Sequence, residues 1–537
     1  MGLIIKNHPR VSLNDTPIFS VITPVYKPSL NELEECLKSA MGPGVEHILV
    51  LDGKTNVSSI AKLKRLVKKY NGRFLVMDKH VGISKATNYA ARNSSADFFV
   101  FLDQDDFLEP NWLPVLSAAK ESHDFLYSDS FLVDERSNKI QRRYKPYWSP
   151  IRLIFNMYAV HLMAVRSSVF WKVGGFRSEF DGSQDHDLAL RVSRVTTSFR
   201  HISMPLYNQR QSSTSTASNP ESKPWAYEAG REAAQNHLDK IGSTAQVEVL
   251  KLYPGALKAV FKERDLPISV VIPTKYQKNP EGRVLVELLL ESLAPFLNVE
   301  LGDEAILVHS SGESFQFSDA ALGKPLVFSV QDSEEFNFSR RCNIGFLTSK
   351  NENILLLNDD LEFGVDNPLI QLNGLLKLPN VGLVGGLLAF PDHSIQHGGH
   401  AFQRGLPIHA HSRSPSLERG LYDLLIDREA VGVTGALMFQ KKSTWEAVGG
   451  FSTLFPLNFN DVDYCQKIRS LGLSVLQANS VLAIHHESST RDPSVTELEI
   501  SQLVHRWGDA MSHDGFTINH QDPEENFKFS HPMDTAN

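Results

Sequence analysis

One stretch of this chain occurs twice, and the repetition constrains the fold more than any other feature. The first copy is Asp97-Phe98-Phe99-Val100-Phe101-Leu102-Asp103-Gln104-Asp105-Asp106, and the second is Asn353-Ile354-Leu355-Leu356-Leu357-Asn358-Asp359-Asp360. In each, an apolar run that reads as a strand buried on both faces stops abruptly at a cluster of carboxylates. Adjacent acids repel one another and are poor strand formers. A cluster at the carboxyl end of a buried strand is more simply read as a site for a divalent cation and its anionic ligand. A polar turn would account for either copy alone; two copies in matching surroundings favour the site.

The surroundings can be compared by spacing. Asn88 and Asp105 recur as Asn343 and Asp360 at one offset of 255, Gly175 recurs as Gly450 at 275, and Asp185 as Asp461 at 276. Such near-constant offsets identify a duplicated fold. In the first copy, strand 18–22 runs into the loop Thr23-Pro24-Val25-Tyr26, Ser29 and Glu32 form a capping box, and strand 47–51 ends at Asp52-Gly53. A helix follows over about 58–70, then a strand over 74–77. Strands alternating with helices predict a mostly parallel sheet covered on both faces, with ligands gathering beyond the carboxyl ends of its strands. The second copy restarts at 268–274 and 305–308 but carries Val308-His309-Ser310 where the first has Asp52. Asp185 and Asp461 each open a helix and each precede a second acid by two residues; favourable contact with the helix dipole is the bland explanation. His485 and His486 form a pair beside Glu487.

A chain of 537 residues is too long for one core. The expected organisation is a first domain over 1–218, a partly helical linker over 219–266, a second domain over 267–515 and a tail over 516–537. The Ser/Thr-rich 212–218 reads as a mobile flap and the polar tail as loosely attached. With 42% hydrophobic residues and no apolar run near 18 residues, neither a membrane span nor a secretory leader is expected. A net charge of −8 argues against nucleic acid as a partner. Cys36, Cys342 and Cys465 have no paired spacing and are expected as reduced thiols.

Together these motifs resemble the inverting, nucleotide-sugar-dependent glycosyltransferases of family 2, which have the GT-A fold. The resemblance rests on Leu102-Asp103-Gln104-Asp105-Asp106 and Gly182-Ser183-Gln184-Asp185-His186-Asp187 in the first half. In the second it rests on Phe336-Asn337-Phe338-Ser339, Leu357-Asn358-Asp359-Asp360, Val433-Thr434-Gly435-Ala436, Asn460-Asp461-Val462-Asp463 and His486-Glu487-Ser488. The tandem order is similar to that of bifunctional bacterial polysaccharide synthases, and the second half to enzymes building O-antigen, rhamnosyltransferases among them. The resemblance implies two tandem α/β domains of GT-A type. It implies Asp185 and Asp461 as catalytic bases, and Asp105, Asp360, His485 and His486 as ligands of Mn2+ or Mg2+ or of the diphosphate. Contacts to the nucleotide sugar are implied for Thr23, Pro24, Tyr26, Asp52, Asn88 and Asp103 in the first copy. The corresponding set in the second is Pro273, Thr274, Asn343, Asn358 and Asp359. Family members often have His two residues after the position of Arg210, where this chain has Ser212.

The chemistry accounts for these residue types. Negative charge grows on a departing nucleoside diphosphate, and a divalent ion bridging its phosphates needs only one or two protein carboxylates. An acceptor hydroxyl must lose its proton as it attacks, which calls for a positioned base. The expected function is a bifunctional glycosyltransferase using UDP-, dTDP- or GDP-linked donors to extend a bacterial glycan on a lipid carrier. Such an enzyme would be cytoplasmic, and peripheral association with the inner face of the membrane is compatible with it. Two alternatives are a single active half with an acceptor-binding partner half, and a non-catalytic glycan-binding protein. A nucleotidyltransferase would require a Gly-rich phosphate loop after strand one, which Thr23-Pro24-Val25-Tyr26 is not.

Overall fold

Strand Phe19–Val25 is buried over nearly its whole length and pairs in parallel with Val45–Leu51 on one side and Phe98–Phe101 on the other. Its β-branched and aromatic residues suit a pleated surface covered on both faces. The computed structural model describes residues 17–54, 56–211, 224–250, 253, 255–310, 326–414, 422–486 and 495–517. The segment expected as a flap, Ser212, Glu487, Ser488 and the tail from 518 lie outside the described residues.

The chain divides into two units. One comprises the described residues up to His237 with Val249–Leu257, and the other Leu238–Glu248 with the described residues from Lys258 onward. The first is built on a sheet ordered Arg73–Val76, Val45–Leu51, Phe19–Val25, Phe98–Phe101, Met163–Arg166, Phe125–Val133, Phe199–Arg210, Phe107–Leu108. The second sheet is ordered Leu326–Asp332, Glu304–Ser310, Ile268–Pro273, Asn353–Leu357, Leu437–Lys441, Val381–Ala389, Ser474–His485, Leu361–Phe363. Each begins with the third, second, first and fourth strands of that sheet in chain order, and those pairings are parallel. Each ends with a short strand that follows the acidic cluster and returns antiparallel to the sheet. The two units are therefore mixed α/β folds with one strand order. Helix Ile83–Arg92 and its counterpart Phe338–Thr348 pack on the first strands through Ala86, Ala90 and Ala91 and through Cys342 and Phe346.

A clamp repeated atom for atom closes each unit. The Asn88 side chain donates to Phe176 O at 2.7 Å and accepts from Phe176 N at 2.9 Å. Asn343 makes the same two bonds with Phe451, each at 2.9 Å, and also accepts from Trp445 Nε1 at 3.0 Å. Gly175 and Gly450 sit in the left-handed region at φ +71° and +69°. A Cβ on either would lie 2.6 or 2.7 Å from the asparagine oxygen, so only glycine fits. Asn88 and Asn343 thus hold a turn and do not contact nucleotide as expected, because both ends of each amide are already bonded.

Local boundaries follow the sequence reading closely, with helices at Val57–Lys69 and Pro224–Lys240. The capping box expected at Ser29 and Glu32 does not close: Ser29 is the N-cap but its side chain makes no capping bond. A complete box forms instead at Thr496 and Glu499. All three cysteines are buried and free. Among the described residues no helix is long and apolar enough to cross a membrane.

Asn343→Ala should lower unfolding free energy by roughly 1–3 kcal/mol, since Trp445 Nε1 and the Phe451 backbone lose buried partners. Denaturant titration of full-length protein checks this; an unchanged midpoint would show that the clamp is dispensable.

Candidate active site

In the first unit the carboxyl ends of Phe19–Val25 and Phe98–Phe101 open onto a solvent-accessible cleft. Pro24, Asp103, His161, Gln184 and Asp185 are among the residues lining it, so the strand-end acid and the helix-start acid share one space. Alternation along the strand explains why Pro24 reaches the cleft while Thr23 does not. Thr23 is fully buried, its hydroxyl 3.0 Å from His47 Nε2, and it is not a cleft contact as expected.

The three acids after Phe98–Phe101 divide by function. Asp106 is buried and accepts from Tyr207 Oη at 2.8 Å and from Arg210 N at 2.7 Å, which anchors the loop. Asp103 is nearly half exposed and lies 3.9 Å from His161 Nε2. Burial, and then the charge of Asp103, push the Asp105 pKa up, as expected for neighbouring carboxylates that a cation could bridge. His161 stacks on Tyr207, and burial pushes its pKa down to about 3, so it stands neutral beside these acids.

Asp185 is in the first turn of helix Gln184–Ser193. Burial, reinforced by Asp103, pushes its pKa up to about 7, against a Gln184 amide 3.1 Å away. Asp187, two residues on, is instead enclosed by Arg191 at 2.6 Å and by Arg177. Asp463 repeats that arrangement with Trp507 Nε1 at 2.8 Å and Arg506 at 3.2 Å. The second acid of each pair is thus structural.

Asp52 is less available than expected. Its carboxylate accepts from Val81 N at 2.8 Å and Gly82 N at 3.0 Å and lies 2.7 Å from His80 Nδ1. It orders the start of helix Ile83–Arg92, while Tyr26 stacks on His80 with ring centroids 4.5 Å apart, leaving an exposed aromatic surface on the rim.

In the second unit, Asp360 lies 2.9 Å from His485 Nε2. The His486 side chain lies 2.9 Å from Glu362, and only its backbone N–H reaches Asp360, at the carbonyl oxygen; the side chain does not join the Asp360 carboxylate as expected. Asp359 accepts from Thr274 Oγ1 at 2.6 Å, and burial pushes its pKa up to about 6. Asn358 holds the place of Asp103, with its backbone N–H bonded to Ala436 O. Pro273 is buried in its strand, which turns it away from the ligand contact expected. Asp461 differs from Asp185. Burial alone would raise its pKa, but His400, 3.5 Å away, and the Gly435 N–H at 3.1 Å outweigh that and hold it well below the usual carboxylate range.

Residues 20–173 match the model of glycosyl transferase family 2. The family 2 match thus covers the first unit's strand-end acids and His161 and stops before Asp185. Over 92% of its length the chain is 27% identical to an uncharacterized protein of Sinorhizobium fredii, covering 56% of that protein. It is 29% identical to the O-antigen biosynthesis protein RfbC of Myxococcus xanthus over 89% of this chain and 38% of the relative. The chain therefore spans about half, or less, of the length of these relatives. The crystal structure of S. aureus TarS 1-349 in complex with UDP-GlcNAc aligns over 41% of this chain and 66% of its own, with TM-score 0.32 and 20% identity.

Sequence reasoning missed His80, His161 and Gln184 around the first cleft, and His400 beside Asp461. Isolated polar residues in loops carry no periodic signal, and only folding brings them to the acids.

Because Asp185 keeps its proton up to about pH 7 in the folded chain and loses it near pH 4 when unfolded, its contribution to stability falls as pH rises between those values. Asp185→Asn is neutral throughout, so its urea midpoint should gain on wild type between pH 5 and pH 8. A constant difference between the two proteins would contradict the raised pKa.

Proposed function

We propose that the chain is a bifunctional inverting glycosyltransferase that moves sugars from nucleotide-sugar donors to a growing bacterial surface polysaccharide. The observation that carries this reading is that Asp103 and Asp185 line one cleft at the carboxyl end of a parallel sheet, in and beside a glycosyl transferase family 2 domain. The domain assignment is residues 1–218 for one transferase, 219–266 for a linker and 267–515 for the second, rhamnosyltransferase-like one. The name of the Myxococcus relative supports an O-antigen or similar product. The acceptor is a glycan on a lipid carrier, and the protein works in the cytoplasm at the inner face of the membrane.

In the first site Asp103 and Asp105, two neighbouring acids with burial and then mutual repulsion raising the Asp105 pKa, would hold Mn2+ or Mg2+; in the second, Asp360 and His485 would do so. The cation supplies charge stabilisation to the departing diphosphate. Asp185 takes the proton of the attacking acceptor hydroxyl, a task for which a pKa near 7 is well matched. Gln184 orients that carboxylate, and the Tyr26–His80 face offers stacking to the nucleobase.

The contrast between Asp185 and Asp461 favours a second reading, in which only the first unit transfers sugar and the second binds acceptor. Asp461, strongly ionised and tied to Gly435 and His400, is the weaker base.

A panel of UDP-, dTDP- and GDP-sugars assayed for hydrolysis with Mn2+ or Mg2+ separates the readings. Bifunctional action predicts that Asp105→Ala and Asp360→Ala each abolish turnover of a different donor; loss confined to Asp105→Ala selects the single-site reading. Asp185→Asn should lower the first reaction by about 10²–10⁴ with donor binding retained. Normal turnover in that variant would remove Asp185 from the mechanism.

A further inference from the structure

Three histidines of the second unit, none of them in the acidic motifs, come together from three short strands. His397 ends Ile395–His397, His400 opens His400–Gln403 and His409 closes Leu406–His409. The last two strands pair antiparallel with His400 directly opposite His409. Gly399, at φ +100°, turns the chain so that His397 lies beside them. One ring nitrogen from each histidine lies within 4.8 Å of the other two. The rings meet edge to face with centroids 4.8 to 5.2 Å apart. Among the described residues no other group of histidine, cysteine or acid side chains converges in this way.

The state of His400 points to a ligand. It is 3% exposed, and neither ring nitrogen makes a hydrogen bond, although Nε2 lies 3.5 Å from Asp461 Oδ2. A buried imidazole without a hydrogen bond is costly unless something else occupies its lone pair. His397 is fully buried and His409 exposed, so the cluster has a protein side and a solvent side through which an ion can enter.

We propose that His397, His400 and His409 bind a divalent transition-metal ion of the zinc class, with Asp461 orienting His400. Imidazole ligands suit zinc, nickel and copper, whereas carboxylate and water suit magnesium and manganese, so this site selects a different ion from Asp360. Three imidazoles with one open position are a common zinc set, and a carboxylate behind a metal-bound histidine fixes its tautomer and orientation. Nε2 of His397 accepts from Thr434 N at 3.1 Å, while its Nδ1 lies 2.9 Å from Nδ1 of His409. Those two nitrogens share one proton in the metal-free protein. An ion bound at Nδ1 moves that proton to Nε2, so the His397–His409 and Thr434–His397 bonds are both given up, two neutral hydrogen bonds exchanged for three coordinate bonds. The ion would tie residues 395–409 to helix Asn460–Ser470 and so stiffen one wall beside Asp461, whether or not the second unit transfers sugar.

Full-length protein stripped with chelator and titrated with Zn2+ by calorimetry, and with Co2+ by visible absorption, tests the site without any sugar substrate. Wild type and Asp360→Ala should each take up one equivalent of Zn2+ and give the ligand-field spectrum of four-coordinate Co2+. His409→Ala changes an exposed side chain and should fold normally by circular dichroism yet lose that equivalent, as should His400→Gln. Asp461→Asn should keep the stoichiometry with affinity weakened about 10–100-fold. Absence of saturable uptake by wild type, or equal uptake by folded His409→Ala, would overturn the proposal.

Discussion

A strand buried on both faces cannot carry charge along its length, so its polar residues are confined to its ends. Phe98–Phe101 and Asn353–Leu357 are such strands, flanked by Phe19–Val25 and Met163–Arg166 in one unit and by Ile268–Pro273 and Leu437–Lys441 in the other. Parallel pairing puts the carboxyl ends of neighbouring strands on one rim. The acids that each core excludes are thereby collected where a ligand can reach them.

Within that shared frame the two units have diverged electrostatically. Asp185 is in a cleft that desolvates it next to Asp103, so its proton is held up to about pH 7. Asp461 accepts from the Gly435 N–H and has His400 3.5 Å away, so the same burial leaves it ionised. The rims differ in the same sense. Asp52 orders the loop before helix Ile83–Arg92, whereas the buried Arg341 reaches Thr274 O at 2.9 Å in the second unit and closes that rim from within. Duplication preserved what the core requires and left the rims free to change.

The arrangement of strands was legible because burial imposes a pattern on sequence. Offsets between Asn88 and Asn343, and between Gly175 and Gly450, pointed to one duplicated fold, and the clamps show why: each asparagine bonds the backbone one residue past a left-handed glycine. The same pair shows the limit of such reading, since position suggested a nucleotide contact where the side chain holds a turn. Thr23 and Pro273 miss the sites for a related reason. A one-residue step along a strand reverses the direction of a side chain, and rim loops carry no period from which to recover it.

The sequence by itself determined the duplication, the α/β class and the delivery of acids to the carboxyl ends of buried strands, because apolar runs, helical spacing and glycine turns are local consequences of burial. Only the tertiary structure decided which acids face a cleft, which are paired with Arg191 or Arg506, and which is held by the Tyr207 hydroxyl. It alone brought His400 to Asp461 across 61 residues of chain. Solvation and partner charge are properties of the assembled surroundings, and no stretch of sequence contains them.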